Sequence, residues 1–290
     1  MRAGGAAAVA VGLAVAADWV VRRDPGVMRV WREAVHADRV FGTPNAPPGE
    51  HALGVAFAPD GRCVATGARG GTVTVRTAAG DPLLTWQAHA EPVYALCFLA
   101  DSSTLLSAGW GGELRVWTLA AGGPVLRATG RGDGPVLAVA ASPDGTAVAA
   151  GSTGRVAVWR LEADRLAPVA EFAAPPYPTN ALAFSADGRS VAAGNSGDGR
   201  AWVWRLSGPA EPERFDTSPE YQIRGLHFTP DGWGLLTVDS EGAVARADAD
   251  GPARLGRLRG PTVRQAAFSP DGRDLIVAHL DGTARLTHRD

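Results

Sequence analysis

Leu137-Ala138-Val139-Ala140-Ala141-Ser142-Pro143-Asp144-Gly145 is a short apolar run that ends in a tight turn, and Val156-Ala157-Val158-Trp159 follows it as an alternating segment closed by tryptophan. An apolar run, a Pro-Asp-Gly turn and a second small apolar run make a β-hairpin, with the aspartate shaping the turn through its side-chain hydrogen bonds. The turn recurs as Ala58-Pro59-Asp60-Gly61, Ala100-Asp101-Ser102, Ser185-Ala186-Asp187-Gly188, Thr229-Pro230-Asp231-Gly232 and Ser269-Pro270-Asp271-Gly272. Its aspartates, Asp60, Asp101, Asp144, Asp187, Asp231 and Asp271, lie 40 to 44 residues apart and are read as structural turn residues. Arg76, Trp117, Trp159, Trp204, Ala247 and Thr287 occupy one repeated position, 15 to 17 residues beyond each aspartate.

A fourth, more polar strand follows, as at Leu83 to Gln87, Val125 to Thr129 and Arg254 to Leu258. Four short strands in every 40 or so residues make a β-propeller blade. One such sheet cannot bury both faces alone, so the units stack radially around a channel. The expected fold is all-β, a single β-propeller domain over residues 1–290 with six clear repeats over 45–290. Composition agrees. Apolar residues at 46% and charged residues at 20% supply a core and exclude disorder, while 37 Gly and 21 Pro, spread along the chain, exclude an all-helical protein. The net charge of −2 argues against a dedicated nucleic-acid binder, which needs a basic face. Two cysteines, Cys63 and Cys97, make no disulfide framework. All 28 basic residues are arginine, which together with abundant Ala and Gly points to a GC-rich, bacterial genome.

These units resemble WD-repeat β-propellers, and the resemblance covers essentially the whole chain. The family implies a polar tetrad in each blade: His before the first strand, Ser or Thr in the second, Asp in the next turn and Trp ending the third. Carried over residue by residue, the tetrad is eroded. The fullest set is His89, Ser107 and Trp117, with Gly111 in place of Asp. The first repeat has Thr66 with Gly70 and Arg76, and later repeats keep Trp159, Asp198 with Trp204, Thr237 with Glu241, and Asp281. Blade stability is therefore expected to rest more on apolar packing between sheets than on this network. Tol-type periplasmic propellers share Pro-Asp-Gly hairpins and stay open as relatives.

Residues 1–44 carry two readings. Met1-Arg2 and the apolar stretch Ala3 to Ala17 resemble a secretory signal cleaved before Asp18, too short and too rich in Ala and Gly for a membrane span. Alternatively, Trp31 lies 45 residues before Arg76, in register with the repeats, and Leu13 to Ala17 is identical to Leu137 to Ala141. That register favours a degenerate first blade and hence seven blades, the last lacking its own outer strand. If instead Arg39 to Thr43 supplied that strand, the ring would have six. A chain ending after a third strand also fits a piece of a larger protein, such as a kinase with a C-terminal propeller.

No catalytic residue, no cofactor and no metal site is expected from these residues. His36, His51, His89, His227, His279 and His288 show no zinc-ligand spacing, and neither cysteine has a nearby Cys or His. No Gly-x-Ser-x-Gly elbow or phosphate loop is present. Asp248-Ala249-Asp250-Gly251 lacks most calcium ligands, and Arg131-Gly132-Asp133 is a chance tripeptide in this composition. Trp86 reads as structural, and Trp233 sits in a hairpin on the opposite face. Arg69, Trp110, Asn195, Asp239 and His279 occupy turns between second and third strands at one rim, where Trp and Arg commonly anchor partners. The expected function is a non-catalytic protein–protein interaction scaffold, binding a protein or peptide rather than nucleic acid, in the cytoplasm. An exported Tol-like or substrate-binding propeller and a propeller enzyme with a channel metal or acid/base site are the alternatives.

Overall fold

The recurring turn is built by the groups its residues carry. Asp144 Oδ1 accepts from the Thr146 N–H at 3.0 Å and from the Ser142 hydroxyl at 2.5 Å. The Gly145 N–H closes onto the Ser142 carbonyl at 2.9 Å with φ at 69°. Asp187 accepts in the same way from the Arg189 N–H and the Ser185 hydroxyl, and Asp60 from the Arg62 N–H. In the second repeat Ser102 takes the left-handed place that Gly61, Gly145 and Gly188 hold in theirs, at φ 55°. There Asp101 accepts from the Ser103 and Thr104 N–H groups at 2.9 and 2.7 Å. Hydrogen bonds from the Ser142 and Ser185 hydroxyls hold the Asp144 and Asp187 carboxyls below their usual range. Asp231 and Asp271 lie outside the described residues.

The computed structural model describes residues 39–41 and 51–288, apart from 198, 209–210, 218–220, 230–233, 249–250, 259, 261 and 270–273. After β1 (Arg39–Phe41), the first repeat is an antiparallel sheet of β2 (Ala52–Phe57), β3 (Cys63–Ala68), β4 (Thr72–Thr77) and β5 (Pro82–Gln87). The second is β6 (Val93–Phe98), β7 (Thr104–Gly109), β8 (Glu113–Ala120) and β9 (Gly123–Arg131). A six-stranded sheet then runs β10 (Ala138–Ala141), β11 (Ala147–Leu161), β12 (Leu166–Phe184), β13 (Ser190–Asn195), β14 (Arg200–Arg205) and β15 (Glu213–Asp216). It carries the third and fourth repeats together. Its long β12 is the outer strand of the third repeat and continues into the inner strand of the fourth. Pro175, Pro176 and Pro178 lie at the junction, and their fixed φ favours extended backbone there. The fifth repeat is β16 (Ile223–Phe228), β17 (Leu235–Asp239), β18 (Ala243–Asp248) and β19 (Gly251–Arg257). The sixth joins β20 (Val263–Phe268), β21 (Asp274–His279) and β22 (Ala284–His288) to β1.

The described strands thus form five sheets, and the expectation of seven blades is corrected. β1 pairs antiparallel with β22, Arg39 opposite Leu286 and Phe41 opposite Ala284. The last unit is therefore completed by an N-terminal strand rather than left open, because an unpaired edge exposes a row of backbone donors and acceptors. The ring closes through β2, which packs on β20 and β21, and the Val55 N–H donates across that seam to Gln265 Oε1 at 2.7 Å. Among the described residues, first and last repeats are direct neighbours, with no further blade between them. Trp31 and the rest of residues 1–38 lie outside the described residues.

The core sits between repeats rather than within one. Each hydrophobic cluster joins two neighbours: Val73, Val75 and Leu105 between first and second, Leu114, Val139 and Val148 between second and third, and Ile276, Leu286 and Val55 across the closing seam. Strands such as β7 are buried along both faces, so they read as apolar runs rather than alternating ones. The sheets approach closely. A Cβ added at Gly67, Gly151 or Gly194 would lie within 2.6 Å of Val93, Thr179 or Ile223 of the next repeat.

Candidate functional site

The second repeat holds a buried polar trio. His89 Nε2 lies 2.7 Å from Ser107 Oγ, and Trp117 Nε1 donates to the same oxygen at 2.8 Å. Burial, with the Arg115 charge nearby, pulls the imidazole down to about 4. In the first repeat Arg76 stands in for tryptophan and donates to Thr66 Oγ1 at 3.2 Å. Trp159 is buried in the packing between second and third repeats. Trp204 stacks on Phe172 at 5.8 Å, but its Nε1 finds no acceptor among the described residues. Thr237 Oγ1 faces the Ala245 carbonyl at 3.5 Å. Asp281 accepts from Thr283, through its N–H at 3.0 Å and its hydroxyl at 2.6 Å, and pairs with Arg285. Asp198 lies outside the described residues. Trp86 packs edge-on against Trp117, 5.7 Å between ring centres.

The five expected rim residues divide. Arg69 and Trp110 are exposed. Asn195, Asp239 and His279 are buried strand residues, and their expected place in the rim turns is corrected. The reason is a one-residue register. Asn195, Asp239 and His279 are strand residues that pair with Thr179, Ile223 and Val263 on the inner strands, as Gly109 pairs with Val93. The true counterparts of Trp110 follow one residue later, at Ser196, Ser240 and Leu280, whose N–H groups bond back as that of Trp110 does to the Pro92 carbonyl. A shift by one residue exchanges a buried strand position for a turn. Asp239 accordingly accepts from the Glu241 and Ala243 N–H groups.

Sequence reasoning missed the residues that gather at the channel mouth. Leu53, Tyr94, Leu137, Asn180, Arg224 and Arg264 each stand seven residues before a repeat aspartate, a period that could have revealed them. Five of them occupy register shifts in the inner strands, such as that between Val93 and Ala95. A bulge of this kind re-aims a side chain at the end of a sheet. Together with Trp110, Pro178, Ser196, Gln222 and Gln265 they line a cavity of about 260 Å³. Tyr94 and Trp110 lie 5.9 Å apart, and the Arg264 guanidinium sits 5.9 Å over the Tyr94 ring. Arg224 donates to Gln222 Oε1, and burial, with Arg264 beside it, lowers its guanidinium to about 10. Below the mouth the channel wall is apolar, with Phe57, Phe184, Phe268 and many alanines around a space of about 490 Å³. His227 is on that wall, 5.9 Å from the Phe268 ring.

Among the described residues no group of three or more His, Cys, Asp and Glu is placed to hold a metal ion. Burial raises the thiols of Cys63 and Cys97, which disfavours the reactive thiolate. Asp133 pairs with Arg155 and Asp248 with Arg246. No helix among the described residues is long and apolar enough to cross a membrane.

A family model described as "WD domain, G-beta repeat" matches residues 48–75, 80–118, 124–160, 167–205 and 253–287, more than half of the chain. The chain belongs to the WD-repeat family. No curated protein matches it. WD-repeat propellers are commonly protein-interaction scaffolds and are typically non-enzymatic. The repeat left unmatched, between residues 205 and 253, has Ala247 where the repeat before it holds Trp204. Its strands β16 to β19 nevertheless pair as in the other WD repeats.

Proposed function

We propose that this protein is a non-catalytic scaffold that holds a protein or peptide partner at the rim and mouth of its channel. The observation that carries the reading is Trp110. It is 53% exposed, projects from a turn and leans on Tyr94 at the edge of a cavity lined by all six repeats. A rigid frame that presents an exposed tryptophan beside a concave, partly apolar site suits partner binding. The test is capture of the tagged protein from its host, followed by affinity measurement with the partner recovered. Replacing Trp110 and Arg69 by alanine is expected to weaken binding about 30-fold, near 2 kcal/mol. Val125→Ser, on the exposed outer strand β9, is expected to leave it unchanged. Equal affinity in the double variant would overturn the reading. A cytoplasmic location belongs to the same proposal, and a mature chain starting near Asp18 would overturn that part.

A further inference from the structure

Several arginines on this molecule sit beside carboxylates, among them Arg115 with Glu113, Arg200 with Asp216, Arg257 with Glu241 and Arg285 with Asp281. At the channel mouth they do not. Arg224 and Arg264 face the same cavity from adjacent repeats, and no carboxylate lines it. Neither makes an ion pair among the described residues. Two further donors nearby are unused: Arg224 Nε and Asn180 Nδ2 are buried without acceptors among the described residues, and Asn180 is only 7% exposed. The other side of the mouth is apolar, formed by Leu53, Tyr94, Trp110 and Leu137. Two like charges held together with spare donors disfavour the empty site, and an anion with several acceptor oxygens removes both costs.

We propose that the mouth takes an anionic side chain of the partner peptide between Arg224 and Arg264, with a neighbouring apolar side chain against Tyr94 and Trp110. This rests on the scaffold reading and adds the partner's chemistry to it. Phosphoserine or phosphothreonine fits best, because a dianion matches two guanidinium forks and a carboxylate matches one.

Degenerate heptapeptide pools with phosphoserine, glutamate or serine fixed at the centre test this by fluorescence anisotropy on the full chain. The phosphoserine pool is expected to bind at least about tenfold tighter than the serine pool. Arg264→Glu should erase that difference, and Arg264→Lys, which keeps the charge but loses the fork, should retain part of it. Unchanged melting of both variants shows that they fold. Glutamate binding as tightly as phosphoserine would support the anion site and name a carboxylate as its source. Equal binding of all three pools, still lost in Trp110→Ala, would overturn the anion proposal and leave the scaffold reading standing. If no pool bound but inorganic phosphate raised the melting temperature in an Arg264-dependent way, the peptide partner would be overturned. If neither bound, both would be.

Discussion

The second and fourth repeats place tryptophan at the same register and use it differently. Trp117 pairs with Leu105 across the ladder, and two residues on Ser107 accepts its indole N–H. Trp204 pairs likewise with Val191, but Ala193 occupies the place of Ser107. Where the second repeat has His89, four residues before its inner-strand partner Val93, the fourth has Pro175 before Thr179. Trp204 is nonetheless completely buried and stacked on Phe172, whereas Trp117 is 7% exposed. A buried N–H without an acceptor costs about 1–3 kcal/mol, while full burial of a large aromatic ring contributes about as much or more. The ring is therefore kept for packing after its hydrogen bond is gone, and packing, not the polar network, is what the eroded repeats share.

The largest effect should come from removing that ring. Trp204→Ala is expected to destabilise the fold by about 3–5 kcal/mol, read by chemical denaturation. A loss under about 1 kcal/mol would break the packing explanation.

The second repeat alone should carry a pH signature from this position. His89 titrates near 4 when folded and near 6.5 when unfolded. The unfolded chain takes the proton first, so stability is full above about pH 6.5 and declines as the pH falls towards 4. Between pH 7 and 4.5 the decline attributable to His89 should reach about 2–3 kcal/mol and vanish in His89→Gln. Identical declines in both proteins would remove His89 as its source.

The smallest effect is the most pointed. Ala193→Ser restores an acceptor beside Trp204 Nε1 and should stabilise the fold by about 1 kcal/mol. A loss of stability would mean that the hydroxyl cannot reach the indole at this backbone spacing.

Much of the fold is legible because its signals are local. A Pro-Asp-Gly turn needs only neighbouring residues, and Asp144 and its counterparts recur at a spacing that sets the repeat. The seam is less legible. Trp31 keeps the interval of the repeats, yet Arg39–Phe41 pairs with β22, because an open strand edge is satisfied by whichever segment reaches it. Asn195, Asp239 and His279 lie one residue short of the rim turns, and turn residues alone do not state where a ladder ends. Ser196, Ser240 and Leu280 could be assigned only from the strand pairing.

The all-β class, the hairpin unit, its period and the identity of the strand-closing tryptophans follow from the residues alone. Each depends on contacts within a few residues or on side-chain period along one strand. How the ring closes and what meets at its centre depend on the assembled fold. Tyr94, Arg224 and Arg264 come from three different repeats and are brought to one cavity by radial stacking. Their charges and rings concern one another only once the inner strands are set around a common axis.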